Sequence, residues 1–482
     1  MSSVATSEGA ALGGVPDAPV AMPRGRRSTE LVMLVFAIAL VGFAYANVGF
    51  SMKNALPSGM AEYMIGFTVL IGLAHLAVRK FAQWADPLLL PLAATLNGLG
   101  IVMTYRLVQS GRNGNAGNKI STLTSSAATI QVLYTAIGIG CFVAVLALVR
   151  ETRVLQRYTY TFGIVGLILV AIPALLPTSI SGVAGTGAKI QVRLGGFTVQ
   201  PEEFAKLALA VAFAGYLVSK RDVLSLAGRR LVGVDLPRGR DLGPILIIWA
   251  ASLLLLVFES DIGTSALFMG LFVATLYIAT QRTSWLLIGF LLFVGGAFTA
   301  SKLFAHVGQR FDIWLHPFTS GNAYGNAYQL VQGLYGMASG GVLGKGLGAG
   351  QPYWTPLVQS DLVITAFGEE LGMTGVMAIL LLYGLIVQRG LATSLAVKDP
   401  FSKILAGGLA FMLALQVFVI VGGVTRLIPL TGITTPFLSQ GGSSLIASWM
   451  MIALLMRLSD TARRPPPQPI QEEGMTQVVN IS

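Results

Sequence analysis

The chain has 482 residues, 54% of them apolar and only 11% charged, with a mean hydropathy of +0.72. A soluble protein carries about a quarter charged residues, so this composition excludes a soluble enzyme or regulatory domain. The net charge of +11 does not mark a nucleic-acid binder, because the basic residues lie between apolar runs of membrane-spanning length.

Twelve spans are predicted, near residues 31–50, 61–78, 87–105, 129–149, 158–176, 202–219, 242–258, 262–280, 284–302, 363–388, 403–424 and 443–457. Runs of about 20 apolar residues cross roughly 30 Å of hydrocarbon. With the N-terminus inside, the inner segments hold 21 of the 32 basic residues, six of them in the 219–241 loop. That bias places both termini in the cytoplasm. The expected fold is therefore an all-α polytopic membrane protein of about 12 transmembrane helices. Its large extracellular loop, 303–362, precedes helix 10 and reads as a connection without regular structure. The lone Cys141 precludes an internal disulfide, His75, His306 and His316 are too scattered for zinc, and no cleavable signal precedes the first span.

Five polar constellations fall on the expected outer edge. In "VQPEEFAKLAL", 199–209, Glu203 and Lys206 share one helical face. A capping acid with a local ion pair explains that spacing; so does a cavity, since a lysine in lipid must face something polar. In "FESDIGTSALF", 258–268, Glu259 and Asp261 lie between spans, and Asp261 suits a helix cap. The long outer loop supplies Arg310, Trp314, His316, Gln329, Gln332 and Lys345, with a run "GKGLGAG" that no strand precedes, which argues against a nucleotide site. Asp361 stands where it can cap the 363–388 helix, whereas Glu369 and Glu370, about two turns deeper, cannot both be caps, so at least one should face a protein interior or a wet cavity. Finally, "RLIPLTGITTPFLSQGGSSLI", 426–446, breaks a helix at Pro429, Pro436 and Gly441–Gly442. Irregular backbone at membrane depth stands only against protein or a wet cavity.

These stretches resemble the SEDS family (RodA/FtsW/SpoVE) of peptidoglycan polymerases. "QPEEFAKLAL" is similar to the family's QPSEFAKL, "ESDIGTS" to its QPDLGTA-type turn, and "SGGVLGKGLGAG" to GGLFGKGLGxG. "SDLVITAFGEELG" resembles HTDFIFAVIGEELG, and "LIPLTGITTPFLSQGGSSL" resembles LLPVTGxPLPFVSYGGSS. Three positions depart from the pattern: Ile190–Gln191 where the family has an aromatic, Gln359–Ser360 for His-Thr, and Gln440 for Tyr. They bear on substrate contacts rather than on fold.

The resemblance implies a ten-helix membrane domain at 81–460, preceded by two additional helices at 29–80 and flanked by disordered cytoplasmic tails at 1–28 and 461–482. It further implies glycosyl transfer between lipid II molecules at the outer face of the bacterial cytoplasmic membrane. Asp361 would be the base, or ligand of an activating divalent cation (Mg or Mn), with no organic cofactor. Glu203 and Lys206 would line the same cavity, and Asp261, Arg310, Gln332, Lys345, Glu370 and Ser443 would contact substrate. The added N-terminal spans favour an elongation-type member. The implied partner is a class B penicillin-binding protein, a single-span transpeptidase docked on 363–388 and 403–424, where Gly407, Gly408, Ala410 and Ala414 would admit a second helix. The rival readings are a lipid II flippase or transporter, and a catalytically silent scaffold for the transpeptidase.

Overall fold

The structure, a computed structural model, describes residues 27–111, 127–182, 189, 191–194, 197–220, 230–231, 234–235, 247, 250 and 262–465. Long helices dominate, as apolar runs must keep their backbone bonds within the segment. They are α1 (Arg27–Lys53), α2 (Met60–Phe81), α3 (Leu89–Gly111) and α4 (Ala127–Leu148); the short α5 (Arg153–Arg157), then α6 (Thr159–Leu175); the short α7 (Thr178–Ser181), then α8 (Pro201–Ser219). After them come α9 (Ile262–Thr280), α10 (Ser284–Leu303), α11 (Ala305–Leu315), α12 (Ser320–Ala323), α13 (Tyr328–Gly340), α14 (Val363–Ala396), α15 (Pro400–Val424) and α16 (Gly442–Arg463). Two antiparallel pairs, β1 (Val192–Leu194) with β2 (Phe197–Val199) and β3 (Arg230–Leu231) with β4 (Val234–Asp235), complete the described elements. Eight of the described helices are long and apolar enough to cross a membrane. The protein is an all-α polytopic membrane protein, and eleven predicted spans coincide with helices. Of the twelfth, 242–258, only residues 247 and 250 are described, and Glu259, Asp261 and residues 1–26 and 466–482 lie outside the described residues.

Close packing and buried polar bonds hold the bundle. Gly138 of α4 faces Trp449 of α16, and a Cβ there would come within 2.7 Å of the indole. The indole N–H donates to Asn97 Oδ1 at 2.8 Å, and Asn97 donates on to Thr135 Oγ1 at 3.1 Å. Such bonds join helices where lipid offers no partner.

The two ends of the bundle differ in chemistry. At one end, Asp86 pairs with Arg389 and Arg463, Asp460 accepts from the Trp84 N–H at 2.8 Å, and Arg457 donates to the carbonyls of Phe81 and Leu146. The other end carries Arg106, Asp361, Glu370 and the 427–441 loop. Because α3 meets α14 at Arg106–Glu370 and the turn before α3 meets Arg389, the two helices run antiparallel between these ends.

The structure departs from the sequence expectations in three places. The 303–362 segment is not structureless: α11, α12, α13 and a 3-10 turn at Pro352–Trp354 fill much of it. Its amphipathic stretches are too short and too glycine-rich to read as helices in isolation. Asp361 does not cap α14; Leu362 occupies the cap position and no side chain caps it. Gly407, Gly408 and Ala410 do not form an open face. They pack against Ile278 and Ser394, against Thr275, and against Gly390 respectively, all within this chain.

Candidate active site

The acids that begin α14 are separated from its long apolar part by a break. Gly372 has φ 67° and ψ −170°, a left-handed conformation that favours glycine. A break leaves helix-end carbonyls without partners. Here the Lys345 N–H donates to Glu369 O at 3.1 Å and the Gly346 N–H to Glu370 O at 2.8 Å. On the far side of the break, Met373 and Thr374 N–H groups donate to Gly341 and Val342 carbonyls. The glycine run therefore serves to plug a helix break. Gly344 packs directly on the Glu370 carbonyl, where a Cβ would come within 2.3 Å.

The two glutamates fasten the same loop. Glu370, fully buried, accepts from Arg106 Nε at 2.7 Å and from the Gly348 N–H at 3.0 Å, while Arg106 also donates to Gly350 O at 2.7 Å. Glu369 pairs with Lys345 at 2.9 Å and accepts from the Gln351 N–H at 2.8 Å. Asp361 stands in the turn before α14, whereas Glu370 lies about two turns into the helix, on the order of 10 Å along its axis from Val363. Glu370 and Lys345 thus belong to this clamp, distinct from the surroundings of Asp361.

Asp361 lies in the turn before α14 and is 8% exposed. Ser360 Oγ donates to its Oδ1 at 2.9 Å, and Gln329 Nε2, from the first turn of α13, donates to Oδ2 at 3.2 Å. Arg310 of α11 is held by the carbonyls of Leu430 (3.3 Å) and Thr431 (2.8 Å). Its Nη2 and Asp361 Oδ2 each lie 4.0 Å from the point where a Cβ would stand on Gly432. Burial pushes the Asp361 carboxyl above the usual carboxylate range; the bonds from Ser360 and Gln329 and the charge of Arg310 oppose that shift without cancelling it. Ser439 Oγ donates to Ser360 O, and the Gln440 N–H donates to Gln359 O at 2.8 Å, so the 427–441 loop is fastened to the turn that carries Asp361.

Glu203 and Lys206 meet at 2.7 Å, both buried in the first turns of α8. Lys206 Nζ also donates to Gln416 Oε1 at 3.2 Å, and Gln416 Nε2 to Thr434 O at 3.1 Å. The pair therefore reaches the 427–441 loop through α15. Ser443, at the start of α16, accepts from the Gln200 N–H at 2.9 Å and ties that helix to α8. Gln332 lies half-buried one turn beyond Gln329. Of the residues singled out in the sequence, Asp361 and Arg310 come together, Glu203 and Lys206 support their loop, and Glu370 and Lys345 join the glycine clamp. Sequence reasoning missed Arg106; an arginine closing an apolar span, with an unmatched glutamate elsewhere, was the available signal.

Comparison with known proteins matches residues 87–464 to the FtsW/RodA/SpoVE family of cell cycle proteins. The chain is 46% identical over 440 residues to "Peptidoglycan glycosyltransferase RodA" of Mycobacterium bovis, covering 91% of this chain and 92% of that protein. It is 32% identical over 303 residues to "Stage V sporulation protein E" of Bacillus subtilis, covering 62% and 76%. Among solved structures, the rod shape determining protein RodA of Thermus thermophilus superposes with a TM-score of 0.51 at 23% identity, covering 79% of this chain and 98% of that one. A chain from a peptidoglycan synthase complex that coordinates polymerization and crosslinking superposes with a TM-score of 0.52 at 23% identity, over 84% and 98%. These two share the fold. The helices α1 and α2 precede the matched region, and the long match from α3 to the end of α16 makes this chain a member of the FtsW/RodA/SpoVE family.

Proposed function

We propose that the protein is a peptidoglycan glycosyltransferase of the cytoplasmic membrane, which polymerises lipid II at the outer face. The observation that carries this reading is Asp361, a buried carboxylate raised above its ordinary range and set beside Arg310 at one end of a membrane bundle. A base works best when its pKa approaches the working pH, which burial favours.

In the reaction, the 4-hydroxyl of the acceptor sugar attacks the anomeric carbon of the growing chain. The new C–O bond forms as the bond to the polyprenyl pyrophosphate breaks, and the pyrophosphate leaves with the electron pair. The hydroxyl proton passes to Asp361, which Gln329 and Ser360 hold in orientation. Pyrophosphate is a stable anion, so no second acid is required. Arg310 supplies positive charge next to Asp361. Lys206 already pairs with Glu203 and bonds Gln416, so it acts through the loop it supports rather than on the leaving group.

Among the described residues no cluster of three or more His, Cys, Asp or Glu side chains is placed to hold a metal ion. Magnesium does not need one, since it is commonly held by one or two carboxylates with substrate phosphates and water. Asp361 fits that pattern, and the buried Gln359 Oε1, without a hydrogen-bond partner among the described residues, is a neutral oxygen of suitable chemistry close to it in the chain. A bound Mg or Mn ion would add positive charge at the pyrophosphate. A class B penicillin-binding protein is the proposed partner, and the α14 residues left exposed at helical spacing, Met373, Met377 and Leu381, are better placed for it than the buried Gly407 and Gly408.

Purified protein incubated with labelled lipid II tests the reading. Glycan ladders are expected. Translocation across liposomes without ladders would replace it with a flippase, and the absence of both ladders and translocation would indicate a scaffold.

A further inference from the structure

Between α2 and α4 runs a groove of about 460 Å³, within the range of about 300–1,000 Å³ usual for small-ligand sites. Leu73, Leu76 and Lys80 line one wall, and Ala136, Gly140 and Val143 the other. Its α2 residues extend from Leu70 to Phe81, about 16 Å at 1.5 Å per residue.

The two helices that flank the groove are linked near both of its ends. Tyr63 on α2 and Thr129 on α4 share a hydrogen bond of 2.8 Å at one end. At the other, Arg457 of α16 donates to both the Phe81 and the Leu146 carbonyls. These links fix the position of the two helices relative to each other at both ends of the groove. An apolar slot in a bilayer-facing surface that stays empty loses dispersion contacts along both walls. A helix of the same length is a cylinder of roughly 10 Å diameter with side chains. It would lie over the slot rather than fill it, whereas an acyl chain is thin and flexible enough to enter.

The open end of the slot is cationic. Lys80 is exposed, with its ammonium 5.4 Å from the Phe81 ring centroid, and exposed Arg79 lies beside it in the chain. This is the end where arginines gather and which the charge bias assigns to the inner leaflet. Basic side chains at that depth attract anionic headgroups.

We propose that this groove binds one acyl chain of an anionic phospholipid of the inner leaflet, with Lys80 at the headgroup. One wall belongs to α2, which precedes the family match, and the other to α4, inside it. The added helices thus build a lipid site onto the shared domain. The proposal is independent of the chemistry at Asp361.

Full-length protein in liposomes containing photoactivatable phosphatidylglycerol or phosphatidylcholine, labelled in the acyl chain, tests this. Preferential labelling of 70–81 and 136–143 by phosphatidylglycerol, by about fivefold or more, is expected. A Cβ at Gly140 meets nothing within 4 Å, so Gly140→Leu projects a side chain into the slot and should sharply reduce the label. Gly72→Leu, at an equally open glycine that does not line the groove, should leave it intact. Lys80→Glu should remove the headgroup preference while labelling persists. Equal labelling by both lipids would mean ordinary boundary lipid and would overturn the proposal. So would label unchanged by Gly140→Leu, or a protein–protein adduct at these residues, which would assign the groove to a second copy of the chain.

Discussion

Gln329 on α13 donates to Asp361 Oδ2 at 3.2 Å, across 32 residues of chain that the glycine clamp folds back on itself. This bond favours the charged carboxylate, against burial, which favours the neutral acid. The polymerisation rate should therefore fall on acidification with a midpoint above the ordinary Asp value of 3.8. Replacing Gln329 with Leu removes a bond worth about 1.5–3 kcal/mol to a charged group. The acid limb should then move upward by about one to two pH units. A pH–rate profile identical to wild type would show that Gln329 does not tune the base.

The Glu203–Lys206 pair is buried at both members, so removing one strands the other. Lys206→Ala should cost about 3–5 kcal/mol and lower the melting temperature sharply. Glu203→Leu combined with Lys206→Met should recover most of that stability, because buried pairs exchange well for apolar ones. Activity should stay low in the double variant, since Gln416 and Thr434 lose their anchor. Melting curves and ladder assays on the three proteins separate these effects. Full activity in the double variant would sink the supporting role assigned to the pair.

Arg106→Ala leaves the fully buried Glu370 without its cation, with an expected cost of about 3–5 kcal/mol. The glycine loop should loosen first, seen as faster hydrogen exchange at Gly346 and Gly348. Adding Glu370→Gln should restore part of the loss by removing the stranded charge. If exchange at those amides is unchanged in Arg106→Ala, the clamp does not depend on this pair.

Gly408→Leu places a side chain where a Cβ already approaches Thr275 within 2.8 Å. Overpacking of this kind costs about 1–3 kcal/mol. The variant should melt earlier whether or not a transpeptidase is present. Met377→Ala, on the exposed stripe of α14, should instead weaken co-purification of the transpeptidase and leave the melting temperature of the isolated protein near wild type. The reverse pattern would return the docking face to α15.

The spans were legible because lipid imposes length and hydropathy on each one separately, as at 31–50 or 403–424. Asp361 was legible as a candidate because an acid at a span edge is costly without a purpose. Its partner Gln329 was named only as a polar loop residue, because the helix carrying it is too short to declare itself locally. Glu370 looked like a substrate contact for a related reason: its cation, Arg106, lies 264 residues away. Gly407 and Gly408 show the limit of composition. Small residues signal close packing, and whether the packed helix belongs to the same chain depends on the tertiary arrangement.

Everything proposed for the chemistry turns on Asp361 as the base. Its raised pKa means that the ionised form is disfavoured on folding. The stability it contributes is fully present below the unfolded value and is lost as pH rises through the folded one. Asp361→Asn keeps the shape of the side chain, lets its amide oxygen accept from Gln329 and its amide nitrogen donate to Ser360, and removes a buried charge. Measured on purified protein with labelled lipid II at neutral pH, the variant should lose activity by about 10²–10⁴-fold. Its melting temperature should equal or exceed that of wild type. Wild-type ladders from a well-folded Asp361→Asn protein would contradict the account.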